Sequence, residues 1–181
     1  MNAFEVGLLD SIQNIFRSDI LDKIFPIITV LGDAGIFWII LGIVLICFKK
    51  TRKMGIAVII SLVFSVVICS GILKPLVNRA RPFVVNPDAP LIAKRPKDAS
   101  FPSGHTSASF AAAFALMYQK AKYWIPAMVL AGLIAFSRLY LYFHFPTDVL
   151  AGIVLGLVCG FGSFVVTRKI YEKLDKKNNI V

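Results

Sequence analysis

Between residues 36 and 166 the chain is a succession of apolar runs broken by short basic or Pro-rich loops. A chain of 181 residues, 57% hydrophobic and only 17% charged, departs from the roughly 25% charge of a soluble domain. A soluble fold of one domain would have difficulty hiding that much apolar surface. The pattern therefore predicts an all-α, polytopic transmembrane helical bundle. Full crossing takes about 20 helical residues. Five spans are expected, at residues 36–48, 54–73, 103–118, 123–141 and 146–166. The first and third are short. Residues 20–31 are either a short re-entrant helix or a sixth, tilted crossing.

Three regions follow. Residues 1–33 form an interfacial amphipathic or re-entrant N-terminal segment, residues 34–170 the transmembrane bundle, and residues 171–181 a basic cytoplasmic tail. Phe4, Leu8, Ile12 and Phe16 recur at helical spacing, with Glu5, Asp10 and Asn14 elsewhere around the turn. That arrangement suits a helix lying in the interface plane, or an ordinary surface helix packed on the bundle. The first 22 residues lack a basic stretch followed by an apolar core and do not read as a cleavable signal peptide. Gly152, Gly156 and Gly160, like Ser107, Ala111 and Ala115, recur every four residues. They mark close helix packing, within the bundle or across a dimer seam; the oligomeric state stays open.

The net charge of +10 does not indicate nucleic acid as a partner. The basic residues sit in loops between apolar runs, and no recognition module is visible. Lys49, Lys50, Arg52, Lys53, Lys120, Lys122, Arg168, Lys169, Lys173, Lys176 and Lys177 fall on one side of the expected spans, accompanied only by the acids Glu172 and Asp175. That side is expected to be cytoplasmic. Cys47, Cys69 and Cys159 lie in apolar runs and read as small hydrophobes, not as metal ligands or a disulfide frame.

Three polar clusters stand at the ends of the runs. In the first, Lys74, Asn78 and Arg81 share one face if helix persists, although Pro75 weakens it and a kink is expected near Gly71. A snorkelling Lys and a loop Arg would look the same. In the second, Pro102-Ser103-Gly104-His105 opens a span. Ser103 suits an N-cap, and Gly104 permits close approach of an anion to free N–H groups. In the third, Arg138 ends a span, His144 precedes Pro146, and Asp148 follows His144 by four positions. That spacing brings a carboxylate onto one imidazole nitrogen and leaves the other basic. The bland reading makes Asp148 a helix-start acid and His144 interfacial. Yet the only two His of the chain both lie in such clusters, which points to phosphate chemistry at a membrane surface. The residues alone do not say which His attacks.

The clusters match K-x6-R-P at 74–82, P-S-G-H at 102–105 and S-R-x5-H-x3-D at 137–148. In this the chain resembles the type 2 phosphatidic acid phosphatase superfamily. The resemblance implies a metal-independent membrane lipid phosphatase without cofactor. His144 would be the nucleophile, forming a phosphohistidine. Asp148 would orient it, and His105 would be the general acid. Lys74, Arg81, Ser103, Gly104 and Arg138 would bind the phosphoryl oxygens. The short acidic N-terminal helix, Arg81-Pro82-Phe83 and Asp98-Ala99-Ser100-Phe101 resemble small bacterial undecaprenyl-pyrophosphate phosphatases. Some of that group carry Asp where this chain has Gly104, which keeps phosphatidate and phosphatidylglycerophosphate phosphatases open. The substrate implied is a membrane lipid phosphate at the outer leaflet, and the bilayer is the other partner. A non-enzymatic lipid transporter or binding module is the remoter alternative. The superfamily's soluble haloperoxidases fit poorly with the apolar spans.

Overall fold

The computed structural model describes residues 3–89 and 92–178, with side chains up to Lys176. Among them there is helix and no strand. Helix α1 spans Ala3–Phe16, α2 Asp19–Val30, α3 Ile36–Cys47 and α4 Arg52–Val66. A π-helical turn, Val67–Leu73, leads into the short α5, Lys74–Val77, and α6 follows at Pro82–Val85. The bundle is completed by α7 at Gly104–Tyr118, α8 at Trp124–Tyr140 and α9 at Pro146–Asn178.

Helix α7 is the axis. Thr106 to Ala113, Ala115 and Leu116 are all buried, because α4, α8 and α9 pack around it. Its Ser, Thr and Ala side chains let neighbours approach from every side, and they pair across the core. Trp38 Nε1 donates to Ser109 Oγ at 3.0 Å, and the Ser65 and Ser107 hydroxyls are 2.6 Å apart. Large apolar side chains such as Ile40, Ile43, Val63, Val129 and Val154 point outward, as lipid contact requires.

The expected small-residue seam lies inside the molecule. An added Cβ at Gly152 would stand 2.9 Å from Thr106 Cβ, one at Gly156 2.6 Å from Phe110 Cβ, and one at Gly160 2.6 Å from Phe114 Cβ. The register is constant and the two helices run parallel, so α7 and α9 begin at the same end of the bundle.

Two stretches are by themselves long and apolar enough to cross a bilayer: Arg52–Val85 and Pro146–Lys176. A third counts if α2 and α3, joined by a 45° bend, form one broken span. That turn carries Ala34 and Gly35 with positive φ. Helices α7 and α8 have 15 and 17 residues, short of the expected crossing length. Helix α9 continues unbroken to Asn178, through much of the segment set apart as a tail. Residues 179–181 and the Lys177 side chain lie outside the described residues.

Two local expectations change. Asn78 adopts φ 42, ψ 44 and ends α5, so Lys74 and Arg81 do not share a helix face. The kink at Gly71 is a π turn, in which Lys74 N bonds back to Cys69 O. Pro75 supplies no N–H and crowds the carbonyl four residues earlier, and the wider turn accommodates this. On helix α1 the buried side is partly polar. Glu5, Leu9 and Gln13 face the protein, while Phe4, Ile15 and Phe16 face outward.

The α7–α9 seam predicts a contrast between glycines. In Gly156→Ala the new methyl would stand 2.9 Å from Ala111 N and 3.0 Å from Phe110 C, backbone that cannot give way. Thermal unfolding in detergent should show a loss of about 1–3 kcal/mol. Gly132→Ala, with nothing within 4 Å, should gain about 0.5–1 kcal/mol. Equal effects would contradict the packing account.

Candidate active site

The parallel start of α7 and α9 gathers the three clusters. Ser103 is the N-cap of α7. Its Oγ accepts from Thr106 Oγ1 at 2.9 Å and Thr106 N at 3.4 Å, and its N–H donates to Asp148 O at 3.0 Å. One backbone bond thus ties the two helix starts together. The Ser103 side chain is spent on the cap. Gly104 and His105 line the adjoining cavity and supply first-turn N–H groups at the positive end of the helix.

Asp148 is fully buried. Its Oδ2 accepts from Ser100 Oγ at 2.5 Å and from Phe145 N at 2.9 Å, and lies 3.5 Å from His144 Nδ1. That separation is loose for a hydrogen bond, and Nδ1 has no other partner. The second carboxylate oxygen, Oδ1, accepts from Arg79 Nη1 at 2.7 Å. On the far side of the ring, His144 Nε2 is 3.2 Å from Arg81 Nη1. A guanidinium can only donate, so Nε2 is the acceptor and the proton of the neutral ring sits on Nδ1, toward Asp148.

Arg81 is nearly buried and fully engaged. Its Nε donates to Asp98 O at 2.8 Å, Nη1 to Phe143 O at 2.8 Å and Nη2 to Asp98 Oδ1 at 2.7 Å. Lys74 Nζ pairs with Asp98 Oδ2 and donates to Ala99 O at 3.1 Å. Asp98 therefore lies between the two cations as their counter-ion. Partial burial pushes its carboxyl up, but Lys74 and Arg81 outweigh this and hold it down to about 2. Arg138 comes from the end of α8. It lies 4.7 Å from the Phe143 ring centroid and donates from Nη1 to Thr29 Oγ1, while its buried Nε has no partner. His105 Nε2 is 2.7 Å from Asp33 Oδ1. Among the described residues, no group of three or more His, Cys, Asp or Glu is arranged to hold a metal ion.

Lys74, Arg81, Arg138, Gly104, His105 and His144 line one cavity of about 1110 Å³. Its polar end continues into an apolar slot between α2–α3 and α4, walled by Pro26, Ile39, Ile59, Leu62, Val63 and Val66. Of the residues singled out in the sequence, Ser103 and Asp148 stand just behind this wall, and the others form it. Sequence reasoning passed over four groups that hold the site. Asp98 and Ser100 were noted only for family likeness, and Asp33 not at all. Glu5 was placed on a polar face, although the spacing of Glu5, Leu9 and Gln13 already put it in line with buried Leu9.

Residues 54–172 match the PAP2 superfamily. An undecaprenyl-diphosphatase of Sulfolobus acidocaldarius is 39% identical over 121 residues, which are 66% of this chain and 58% of that protein. The undecaprenyl-diphosphatase BcrC of Bacillus subtilis is 32% identical over 149 residues, 80% of this chain and 74% of the relative. The crystal structure of Aquifex aeolicus LpxE superposes with a TM-score of 0.77 at 30% identity, covering 90% of this chain and 95% of the other. With three sequence clusters converging on one cation-lined cavity and a matching fold over nearly its whole length, the chain belongs to the PAP2 superfamily.

Proposed function

We propose that the protein is a membrane lipid phosphatase. It hydrolyses a lipid (pyro)phosphate at the outer leaflet through a phosphohistidine, and undecaprenyl pyrophosphate is the substrate. One observation carries this reading. His144, its unprotonated Nε2 3.2 Å from Arg81 Nη1, lines a cavity end together with Lys74, Arg81 and Arg138, and that end opens into an apolar slot. The cations and helix N–H groups suit a phosphoryl group, and the slot suits the lipid chain.

Phosphoryl transfer asks for positioning and charge stabilisation more than for covalent chemistry. Lys74, Arg81, Arg138 and the N–H groups of Gly104 and His105 hold the phosphoryl oxygens, with Ser103 fixing the helix start. His144 Nε2 attacks phosphorus, and the bond from phosphorus to the leaving oxygen breaks. His105, facing the same cavity, donates a proton to that oxygen. Asp148 stabilises the ring as it becomes positive. Water then attacks the phosphohistidine and gives a proton to His105. Inorganic phosphate leaves and His144 is regenerated. Three cations and backbone donors can meet the charge demand without a divalent ion.

The names of the two undecaprenyl-diphosphatases support the prenyl substrate. Gly104 supports a second reading, as a phosphatidate or phosphatidylglycerophosphate phosphatase. A Cβ there would lie 4.0 Å from Lys74 Cε, so an acidic side chain at this position would give Lys74 a second counter-charge besides Asp98. A transporter is favoured less, because the cations Lys74, Arg81 and Arg138 stand at helix ends. The basic loops at the opposite end support five crossings with the site outside.

Purified protein should release phosphate from undecaprenyl pyrophosphate faster than from phosphatidate or phosphatidylglycerophosphate, and EDTA should not slow it. The reverse order of substrates would move the assignment to the second reading. His144→Ala should abolish release without loss of folded protein; full activity in that variant refutes the mechanism.

An attacking imidazole must be unprotonated. Burial pushes His144 down to about 3, Arg138 and Arg81 add to the push, and Asp148 opposes it. Below about pH 6.5 the unfolded chain takes up a proton at this ring that the native state refuses, so stability falls as pH drops toward 3. The midpoint of thermal unfolding should decline over that window, and the decline should be shallower in His144→Asn. Identical slopes would mean that His144 is not held neutral.

A further inference from the structure

We infer that Glu5 and Arg79 are positioning residues for Asp148, which makes the N-terminal helix a working part of the catalytic site. The inference rests on the assignment of His144 as nucleophile. Glu5 is only 4% exposed, on a short helix that turns Phe4, Ile15 and Phe16 outward. Its Oε1 accepts from Thr147 N at 3.1 Å and Thr147 Oγ1 at 2.6 Å. Its Oε2 accepts from Arg79 Nη2 at 2.6 Å. The other fork of the guanidinium, Nη1, donates to Thr147 Oγ1 and to Asp148 Oδ1, each at 2.7 Å. The guanidinium lies 4.1 Å from the Phe145 ring centroid.

Charge gives this chain of contacts a purpose. Asp148 is useful to His144 only as an anion, because the ring turns cationic when phosphorylated or protonated. Arg79 fixes the carboxylate but, by itself, would cancel its charge. Glu5 divides the guanidinium between two carboxylates, so the three groups together keep one net negative charge behind the imidazole. Buried charges are tolerated only when paired and hydrogen-bonded. Here both carboxylate oxygens of Glu5 are so engaged. Further bonds hold α1 and α2 over the loop that carries His144: Gln13 Nε2 to Tyr140 O, and the Tyr142 and Tyr140 hydroxyls to Asp10 and Asp22. The helix is thus registered on the segment it serves.

The test compares full-length wild type, Glu5→Gln, Arg79→Gln, Arg79→Lys, Asp148→Asn and Glu5→Gln/Asp148→Asn. In Glu5→Gln, kcat should fall by about tenfold or more, which is about 1.4 kcal/mol of transition-state stabilisation per tenfold. KM should stay within a factor of about three, because Glu5 does not touch the cavity; a purely structural role would not produce this split. Arg79→Lys should recover part of what Arg79→Gln loses. In the Asp148→Asn background, Glu5→Gln should cost nothing further. Full kcat in Glu5→Gln, or a loss that adds in the double variant, overturns the inference while wild-type activity leaves the lipid phosphatase reading standing. If wild type releases no phosphate from any of the three lipids, that reading fails. The positioning role is then decided by 15N spectra of the two ring-labelled histidines, where His144 shifts should move in Glu5→Gln and Arg79→Gln. Unchanged shifts overturn the role.

Discussion

The close approach of α7 and α9 is the constraint on which the rest of the structure depends. Glycine at 152, 156 and 160 lets α9 lie directly against the α7 backbone in a parallel register. Parallel packing places both helix starts at one end. The bond from Ser103 N to Asp148 O then fixes the capping turn of one helix against the first turn of the other. The positive end of α7 meets the cavity at Gly104 and His105, while the first turn of α9 donates through Thr147 N to Glu5. Lys74, Arg81 and Arg138 arrive from α5, the following loop and α8, each at the end of its element.

Gathering three cations in a half-buried cavity is costly without anions. The protein meets that cost unevenly. Asp98 compensates Lys74 and Arg81, while Arg138 keeps a buried Nε without a partner. Asp98 lies in a loop and its side chain is 57% exposed. Under the proposed function, a carboxylate of that exposure would yield the cations to a phosphoryl group, whereas Asp148 is fully buried and would stay in place. The two aspartates thus separate by exposure into one that keeps the cradle's cations paired and one that stays with the imidazole.

What was legible in the sequence follows the same physics. Apolar runs mark helices, because hydrophobicity at helical length has one outcome in lipid; α3, α7 and α8 fall within a residue or so of the expected bounds. The close-packing stripe was readable because only small residues permit it. Lys74 and Arg81 were identifiable as a pair by motif, but not by helical face, since Asn78 ends α5 in a left-handed conformation that no periodicity reports. Glu5 was misplaced for a different reason. Amphipathicity assigns charged residues to the outside, and in lipid the rule inverts when a charge finds paired partners in the protein. Asp33 and Asp98 act through contacts 72 and 17–24 residues away in sequence, which local pattern does not encode.

The cavity's two ends explain why chemistry is easier to read here than lipid choice. At the polar end each side chain is fixed by directed bonds, and replacing one changes a countable interaction. The slot between α2–α3 and α4 is walled by Ile, Leu and Val, which recognise a chain by shape and area alone. Such a wall discriminates weakly, about 1–3 kcal/mol for a methylene in a snug pocket, and less where the slot opens to lipid. Under the proposed function, discrimination between a diphosphate and a monophosphate would fall to the polar residues beyond the slot. Lys94 and Arg95 line the same cavity as the cradle, and Arg95 leans toward the Phe83 ring at 5.5 Å. A second phosphate would meet charge there and a glycerol backbone would not. Under the proposed function, the polar end would read the number of phosphates, and the slot would read only that a lipid is attached.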